Sequence, residues 1–76
     1  MPRANGDLLM QLREQRHLTR EALAEAVGID RRNLRNWEQG KGQIRLKTFY
    51  PLAAYLGYSG PRFAELLVYP ELKAQA

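Results

Sequence analysis

The 76-residue sequence contains no cysteine and only one histidine, His17. Disulfides and thiolate metal sites are therefore excluded, and a single histidine cannot build a metal site alone. No apolar run approaches the roughly 20 residues of a membrane-spanning helix, and Met1-Pro2-Arg3 is not followed by a signal-like apolar core. We expect a cytoplasmic protein that has no membrane contact, no metal ion and no cofactor.

The sequence motifs of common enzymes are missing as well. There is no Ser/His/Asp set, no glycine-rich phosphate loop, no Walker pattern and no H-E-x-x-H pair. The carboxylates Glu14, Glu21 and Glu25 lie in amphipathic helical segments, and we interpret them as parts of solvated faces. We predict that the chain is not an enzyme, and no site for a small-molecule ligand is evident.

Positive charge is what the sequence has in excess, and it is unevenly distributed. Residues 1–47 hold ten of the twelve Lys and Arg and six of the eight Asp and Glu, so this part carries the whole net charge of +4. Residues 48–76 hold two of each sign and are neutral. A basic excess confined to one part of a small domain is the electrostatic pattern expected of a polyanion binder.

The basic part contains a segment, Leu18 to Gly40, that is predicted to form two short helices joined by a tight turn. Thr19 is a good N-cap for the first helix, and Gly28 ends it because a left-handed backbone is cheapest without Cβ. Asp30 caps the second helix, residues 31–39, which Gly40 ends. So short a turn makes the helices cross steeply, as in a helix-turn-helix, although the spacing alone also fits an ordinary αα-hairpin. The residues expected to face a shared core are Leu23, Ala24, Val27, Ile29, Leu34 and Trp37.

Three further helices are predicted outside this segment. They cover about residues 7–16, 48–56 and 60–69, with Asn5 or Asp7 capping the first and Thr48 capping the second. Pro51 is tolerated only in a first turn, which argues against a start much before Thr48. The prediction is an all-α, compact five-helix domain over residues 7–69. Residues 1–6 are expected to form a flexible N-terminal arm, and residues 70–76 a C-terminal tail.

Several spaced positions of the helix pair resemble the phage repressor/Cro-like family, also called the xenobiotic-response-element type of helix-turn-helix. The matching positions are Ala24, Gly28, Leu34 and Trp37, together with Gly28-Ile29-Asp30, Trp37-Glu38-Gln39-Gly40 and Leu52-Ala53-Ala54-Tyr55-Leu56-Gly57. The resemblance covers about residues 9–67 and implies a lambda-repressor-like fold. His17 departs from the pattern, since related sequences often have glycine there, but histidine can adopt a left-handed conformation at a helix end.

A helix-turn-helix places its second helix in the major groove, where arginine pairs with guanine and asparagine with adenine. The exposed face of this helix offers four candidate base contacts, Arg31, Arg32, Arg35 and Asn36. For Arg35 the alternative is a phosphate contact. The resemblance places Arg31, Arg32 and Asn36 where relatives read bases, and Arg20 where the family usually has a glutamine that touches a phosphate. Further phosphate candidates are Lys41, Arg45 and Lys47. The resemblance also implies that Arg13 pairs with Glu38, which fixes the first helix against the recognition helix.

These features predict a sequence-specific double-stranded DNA-binding protein, a bacterial or phage transcriptional regulator. As in its relatives, we expect a homodimer on a palindromic operator, repressor-like in function and nucleoid-associated when bound to DNA. The fifth helix has surplus apolar residues, and the predicted dimer interface consists of Phe63, Leu67, Val68 and Tyr69. The alternative is an antitoxin-like or adaptor module whose basic face binds an acidic protein or RNA.

Overall fold

The computed structural model describes residues 3–68, and most of them are helical. The α-helices in this part of the chain are α1 (Gly6–Gln15), α2 (Arg20–Val27), α3 (Arg31–Glu38) and α4 (Leu46–Tyr55), followed by a 3₁₀ helix (Gly60–Leu66). Strands β1 (Arg3–Ala4) and β2 (Leu67–Val68) form a small antiparallel sheet. The all-α fold with a central helix-turn-helix is confirmed, with this sheet as an addition.

The helix pair α2–α3 is built from the local signals that the sequence carries. The Thr19 hydroxyl accepts a hydrogen bond from the Ala22 amide at 3.0 Å, which caps α2. Gly28 has a φ of 81°, so it makes the left-handed turn that ends α2. The Asp30 carboxylate accepts from the Arg32 amide at 2.8 Å and caps α3 two residues later. His17 adopts a φ of 55° in the turn before α2, as the sequence predicts.

One hydrophobic core joins these helices and fixes the orientation of α3. Leu34 is fully buried and Trp37 nearly so, which leaves the opposite side of α3 to solvent. The Trp37 ring packs edge-on against Phe49 of α4, with ring centroids 5.2 Å apart. Ala24 is buried where α2 packs against α3, a position that tolerates only a small side chain. The core therefore presents the polar face of α3 outward.

The start of α4 differs from the prediction. The helix begins at Leu46 rather than after Thr48, and Arg45 occupies the N-cap position without a side-chain capping bond. Pro51 therefore lies in the helix interior, where it removes the hydrogen bond to the carbonyl of Lys47. Both residues are exposed, so water can satisfy that carbonyl.

The end of the chain also differs from the prediction. The predicted fifth α-helix, residues 60–69, is a 3₁₀ helix that stops at Leu66. Leu67 turns to an extended conformation, φ −116° and ψ 144°, because it pairs with Ala4 in the sheet. Val68 pairs with Arg3 in the same register. Tyr69 and the predicted tail, residues 70–76, lie outside the described residues.

The N-terminal segment is tied to the domain where the sequence suggested a flexible arm. Ala4 is buried in β1, and the Asn5 amide donates to the carbonyl of Leu66 at 2.7 Å. The Asn5 side chain caps α1 through the amide of Leu8 and also donates to the carbonyl of Glu65 at 3.2 Å. Residues 3–5, at the start of the described chain, are thus bonded to residues 65–68 at its end. Met1 and Pro2 lie outside the described residues.

Gly6 lies where the first turn of α1 contacts the end of α3. A Cβ atom at this position would overlap the carbonyl oxygen of Glu38 and lie 2.6 Å from its carbonyl carbon. Both are backbone atoms near the end of α3 and cannot move aside as a flexible side chain can. The absence of a side chain at Gly6 therefore lets the first turn of α1 pack directly on α3.

Candidate nucleic-acid interface

Four arginines surround one open groove between the start of α2 and the exposed face of α3. This arginine groove has a volume of about 410 Å³ and is lined by Arg20, Glu21, Arg31, Arg32 and Arg35. Three of its arginines belong to the exposed side of α3, which the burial of Leu34 and Trp37 turns outward. The fold therefore brings three of the four candidate base contacts together with the phosphate candidate Arg20.

Arg31 and Arg32 each have a carboxylate partner at the surface. Arg31 donates through Nη1 to Oε1 of Glu21 at 2.6 Å, with the two side chains 66% and 72% exposed. Arg32 lies beside Asp30, where Nη2 and Oδ2 are 3.3 Å apart. Both pairs are well exposed to water, so each contributes little to stability. Both guanidiniums can therefore leave their partners for another acceptor at small cost.

Asp30 and Arg32 shift each other's pKa. The backbone N–H of Arg32 and then its guanidinium donate to this carboxylate and lower the pKa of Asp30 below its usual value. In return, the Asp30 carboxylate raises the pKa of Arg32. Asp30 therefore stays ionised at neutral pH, and its first role is to cap α3.

The other two candidate base contacts lie on the same exposed face of α3. Within residues 3–68, no carboxylate lies within ion-pair distance of Arg35, which lines the arginine groove. Asn36 is exposed one residue further along but does not line the groove. Asn36 is therefore next to Arg35 in the chain and exposed, but it is not part of the arginine groove.

Arg13 and Glu38 lie together in the interior. Nε of Arg13 donates to Oε2 of Glu38 at 2.7 Å, and Nη2 donates to Oε1 at 3.2 Å. The two side chains are 11% and 1% exposed, so this is a buried, doubly hydrogen-bonded ion pair between α1 and the end of α3. Arg20 joins it, because its Nε donates to Oε1 of Glu38 at 2.9 Å. Two arginines from two helices therefore share one carboxylate.

A second groove lies on the other side of α3, next to the loop that leads into α4. Its volume is about 270 Å³, and Asn33, Trp37, Gln43, Arg45 and Thr48 line it. The phosphate candidate Arg45 is thus placed beside the first turn of α4. The other loop candidates, Lys41 and Lys47, are exposed and line neither of these two grooves.

The candidate dimer residues are less exposed than the sequence suggested. Phe63 is half-buried and packs edge-on against Tyr50, with ring centroids 5.0 Å apart. Leu67 is half-buried against the core, and only Val68 is well exposed, at 44%. Tyr69, the fourth candidate, lies outside the described residues.

Sequence reasoning overlooked several residues of these grooves. Glu21 lies on a solvated face, as the sequence indicates, and it is also the ion-pair partner of Arg31. Asn33 lies three residues before Asn36, so the two residues are neighbours on the helix surface. This spacing is the sequence feature that could have identified Asn33 as a candidate. Gln43 and Thr48 carried no local signal, because their approach to α3 depends on the path of the loop.

No group of three or more His, Asp or Glu side chains that could hold a metal ion occurs within residues 3–68. No helix in the same range is long and apolar enough to cross a bilayer.

Comparison with known proteins gives one positive finding. A family model described as a helix-turn-helix matches residues 9–63, which is most of the chain. Comparison with curated proteins and with solved structures finds no match. The matched range includes α2, α3 and both grooves.

Proposed function

The chain belongs to the Cro/C1-type helix-turn-helix family and is a DNA-binding transcription regulator, and we propose that it reads a specific operator with α3 in the major groove. The observation that carries this proposal is the arginine groove, where three arginines of α3 and one of α2 face solvent together. Bidentate pairing with guanine O6 and N7 is the commonest specific contact of arginine in that groove.

Base reading is assigned to Arg31, Arg32, Arg35 and Asn36. The recognition helix of a helix-turn-helix contacts base edges mainly through its N-terminal residues, and Arg31 and Arg32 are the first two residues of α3. Their carboxylate partners are themselves exposed and therefore bind them only weakly. A guanine can therefore replace those partners.

Phosphate binding is assigned to Arg20, Lys41, Arg45 and Lys47. Along the chain these cations come before and after α3, at the start of α2 and in the segment that enters α4. No side chain caps α4, so the amide groups of its first two residues, which precede Thr48, are also open to an anion. Phosphate contacts from the segments before and after α3 would hold it in register without reading sequence.

We propose that the protein binds a palindromic operator as a homodimer in the cytoplasm. One helix-turn-helix reads only a few base pairs, and a two-fold axis doubles the contact at a spacing of one DNA turn. Val68 is the centre of the proposed interface, which also includes Phe63, Leu67 and, outside the described residues, Tyr69. Its exposed apolar side chain lies in the part of the sequence that carries no net charge, although its partner across the sheet is the exposed cation Arg3.

Selection of bound sites from a random duplex pool tests the reading function. We expect an enriched, two-fold symmetric motif for the parent protein. Arg31→Ala or Arg32→Ala should cost roughly 1–3 kcal/mol on that site and relax one base position in each half. Arg62→Ala, which changes an arginine of the 3₁₀ helix, serves as the control and should return the parent motif.

Two results would count against this assignment. An unchanged motif from the Arg31 or Arg32 variant would show that the arginine concerned is not a reader. Retention on acidic proteins or RNA with no enriched duplex would favour the adaptor-like alternative.

Analytical ultracentrifugation tests the dimer, with and without the selected operator. Val68→Glu should abolish pairing, whereas Leu67→Glu is unsuitable because Leu67 packs against the core. Tyr55→Glu is the matched control, since Tyr55 is an equally exposed apolar residue on α4. A parent protein that stays monomeric on its operator contradicts the dimer, and loss of pairing only in the Tyr55 variant moves the interface to α4.

A further inference from the structure

Arg20 differs from the other arginines of the arginine groove because its partner is buried. Its Nε donates to Oε1 of Glu38 at 2.9 Å. The Glu38 side chain is 1% exposed, whereas that of Arg20 is 40% exposed. The guanidinium is therefore fixed on one side to the protein interior, while the side chain lines the open groove.

The carboxylate that holds Arg20 is itself held by the scaffold. Arg13 donates to both oxygens of Glu38, and its remaining nitrogen, Nη1, donates to the carbonyl of Leu18 at 2.8 Å. Glu38 cannot follow Arg20 outward without breaking these bonds. Its position is therefore set before any ligand arrives, and an arginine anchored to it has less conformational entropy to lose on binding.

We propose that Glu38 is a positioning residue, which aims the guanidinium of Arg20 at a DNA phosphate. The inference rests on the proposed function in DNA binding. Within residues 3–68, the structure shows hydrogen bonding by Nε of Arg20 but none by its Nη1 or Nη2. Two N–H groups on the edge of a guanidinium match two phosphate oxygens. Arg13, Arg20 and Glu38 together carry one net positive charge, and the exposed member of the cluster is Arg20.

The shared carboxylate also links the phosphate contact to base reading. Glu38 is the last residue of α3, Arg20 is the first residue of α2, and Arg13 lies in α1. The hydrogen bond from Arg20 to Glu38 therefore fixes the position of a phosphate bound by Arg20 relative to α3. Glu38 thus sets both the packing of the recognition helix and the point at which the DNA backbone is held.

Arg20→Lys tests the inference while leaving the Arg13–Glu38 pair in place. A lysine has one nitrogen, so an ammonium that pairs with Glu38 cannot also present two parallel donors to a phosphate. We expect about a tenfold loss of affinity for specific and non-specific duplexes alike, and a salt slope that is smaller by about one unit. Arg62→Lys is the matched control and should change neither quantity. If Arg20→Lys binds DNA as the parent does, Arg20 acts as an unanchored surface charge and the inference is wrong.

Glu38→Gln tests the role of the carboxylate, at a temperature where every variant is shown to be folded. We expect weaker DNA binding in the parent background and no further loss in the Arg20→Lys background, because the two changes remove the same contact. Stronger binding would mean that Glu38 withholds Arg20 from DNA, which overturns the proposal. A parent protein without salt-dependent DNA binding defeats the proposed function itself. Normal parent binding with no effect of either change defeats only this inference.

Discussion

Replacing Glu38 by alanine removes the acceptor that three nitrogens share. Arg13 loses its hydrogen bonds at 2.7 and 3.2 Å and keeps only the bond to the carbonyl of Leu18. Its side chain is 11% exposed, so water cannot replace the lost partner. Arg20, at 40% exposure, can return to water and adds less to the cost. Removing one partner of a buried pair costs about 3–5 kcal/mol, a large part of the 5–15 kcal/mol that stabilises a typical domain.

Thermal unfolding of single and double variants measures this cost. Glu38→Ala should lower the melting temperature by more than about 12 °C, since 1 kcal/mol shifts a domain of this size by about 4–8 °C. Glu21→Ala is the matched control, because its pair with Arg31 is exposed and should contribute about 0–1 kcal/mol. The double variant with Arg13→Met should cost clearly less than the two single changes added together. Additive losses would refute a buried Arg13–Glu38 interaction.

Two further predictions concern backbone packing and charge. Gly6→Ala should destabilise the fold by about 1–3 kcal/mol or more, because its Cβ meets the carbonyl of Glu38. Gly42→Ala is the control, because Gly42 has a φ of 72° but open space around it, and it should lose only the backbone cost of about 1–2 kcal/mol. Chemical denaturation measures both variants. A Gly6→Ala protein as stable as the parent would contradict the close contact with Glu38. Since Arg32 lowers the pKa of Asp30, the ionised carboxylate favours the folded state at neutral pH, and this contribution disappears as the pH falls below about 4 and through the lowered value. The stability difference between the parent and Asp30→Asn should therefore vanish in acid, and a difference that is constant with pH would refute the assignment.

The helix-turn-helix was predictable because its boundaries are set by neighbouring residues. Thr19 and Asp30 bond amides two or three residues away, and Gly28 supplies the left-handed turn without help from the rest of the chain. Burial of Leu34 and Trp37 follows from helical spacing, and it also determines which arginines face outward.

The errors arose where distant parts of the chain meet. The apolar pattern of residues 60–69 suggested an α-helix, but pairing of Leu67 with Ala4 ends the helix early. The contact of Gly6 with the end of α3 likewise leaves no mark in the local sequence. The start of α4 differs for another reason: Pro51 predicts a helix that starts near Thr48, but the helix accommodates this proline in its interior and starts at Leu46.

The contrast between local signals and distant contacts also decides which parts of the candidate site could be predicted from the sequence. The arginines of α3 could be identified from the sequence, because a helix places them on one face. The attachment of Arg20 to Glu38 could not, since it depends on how α2 packs against the end of α3.

The salt dependence of duplex binding tests the central claim most directly. Four proposed phosphate contacts, from Arg20, Lys41, Arg45 and Lys47, predict that log K falls linearly with log salt with a slope of about −3.6 per protomer. Arg20→Ala should weaken binding to all duplexes alike and reduce the steepness of that slope by about one unit. A slope near zero for the parent protein would contradict binding to the DNA backbone through this basic surface.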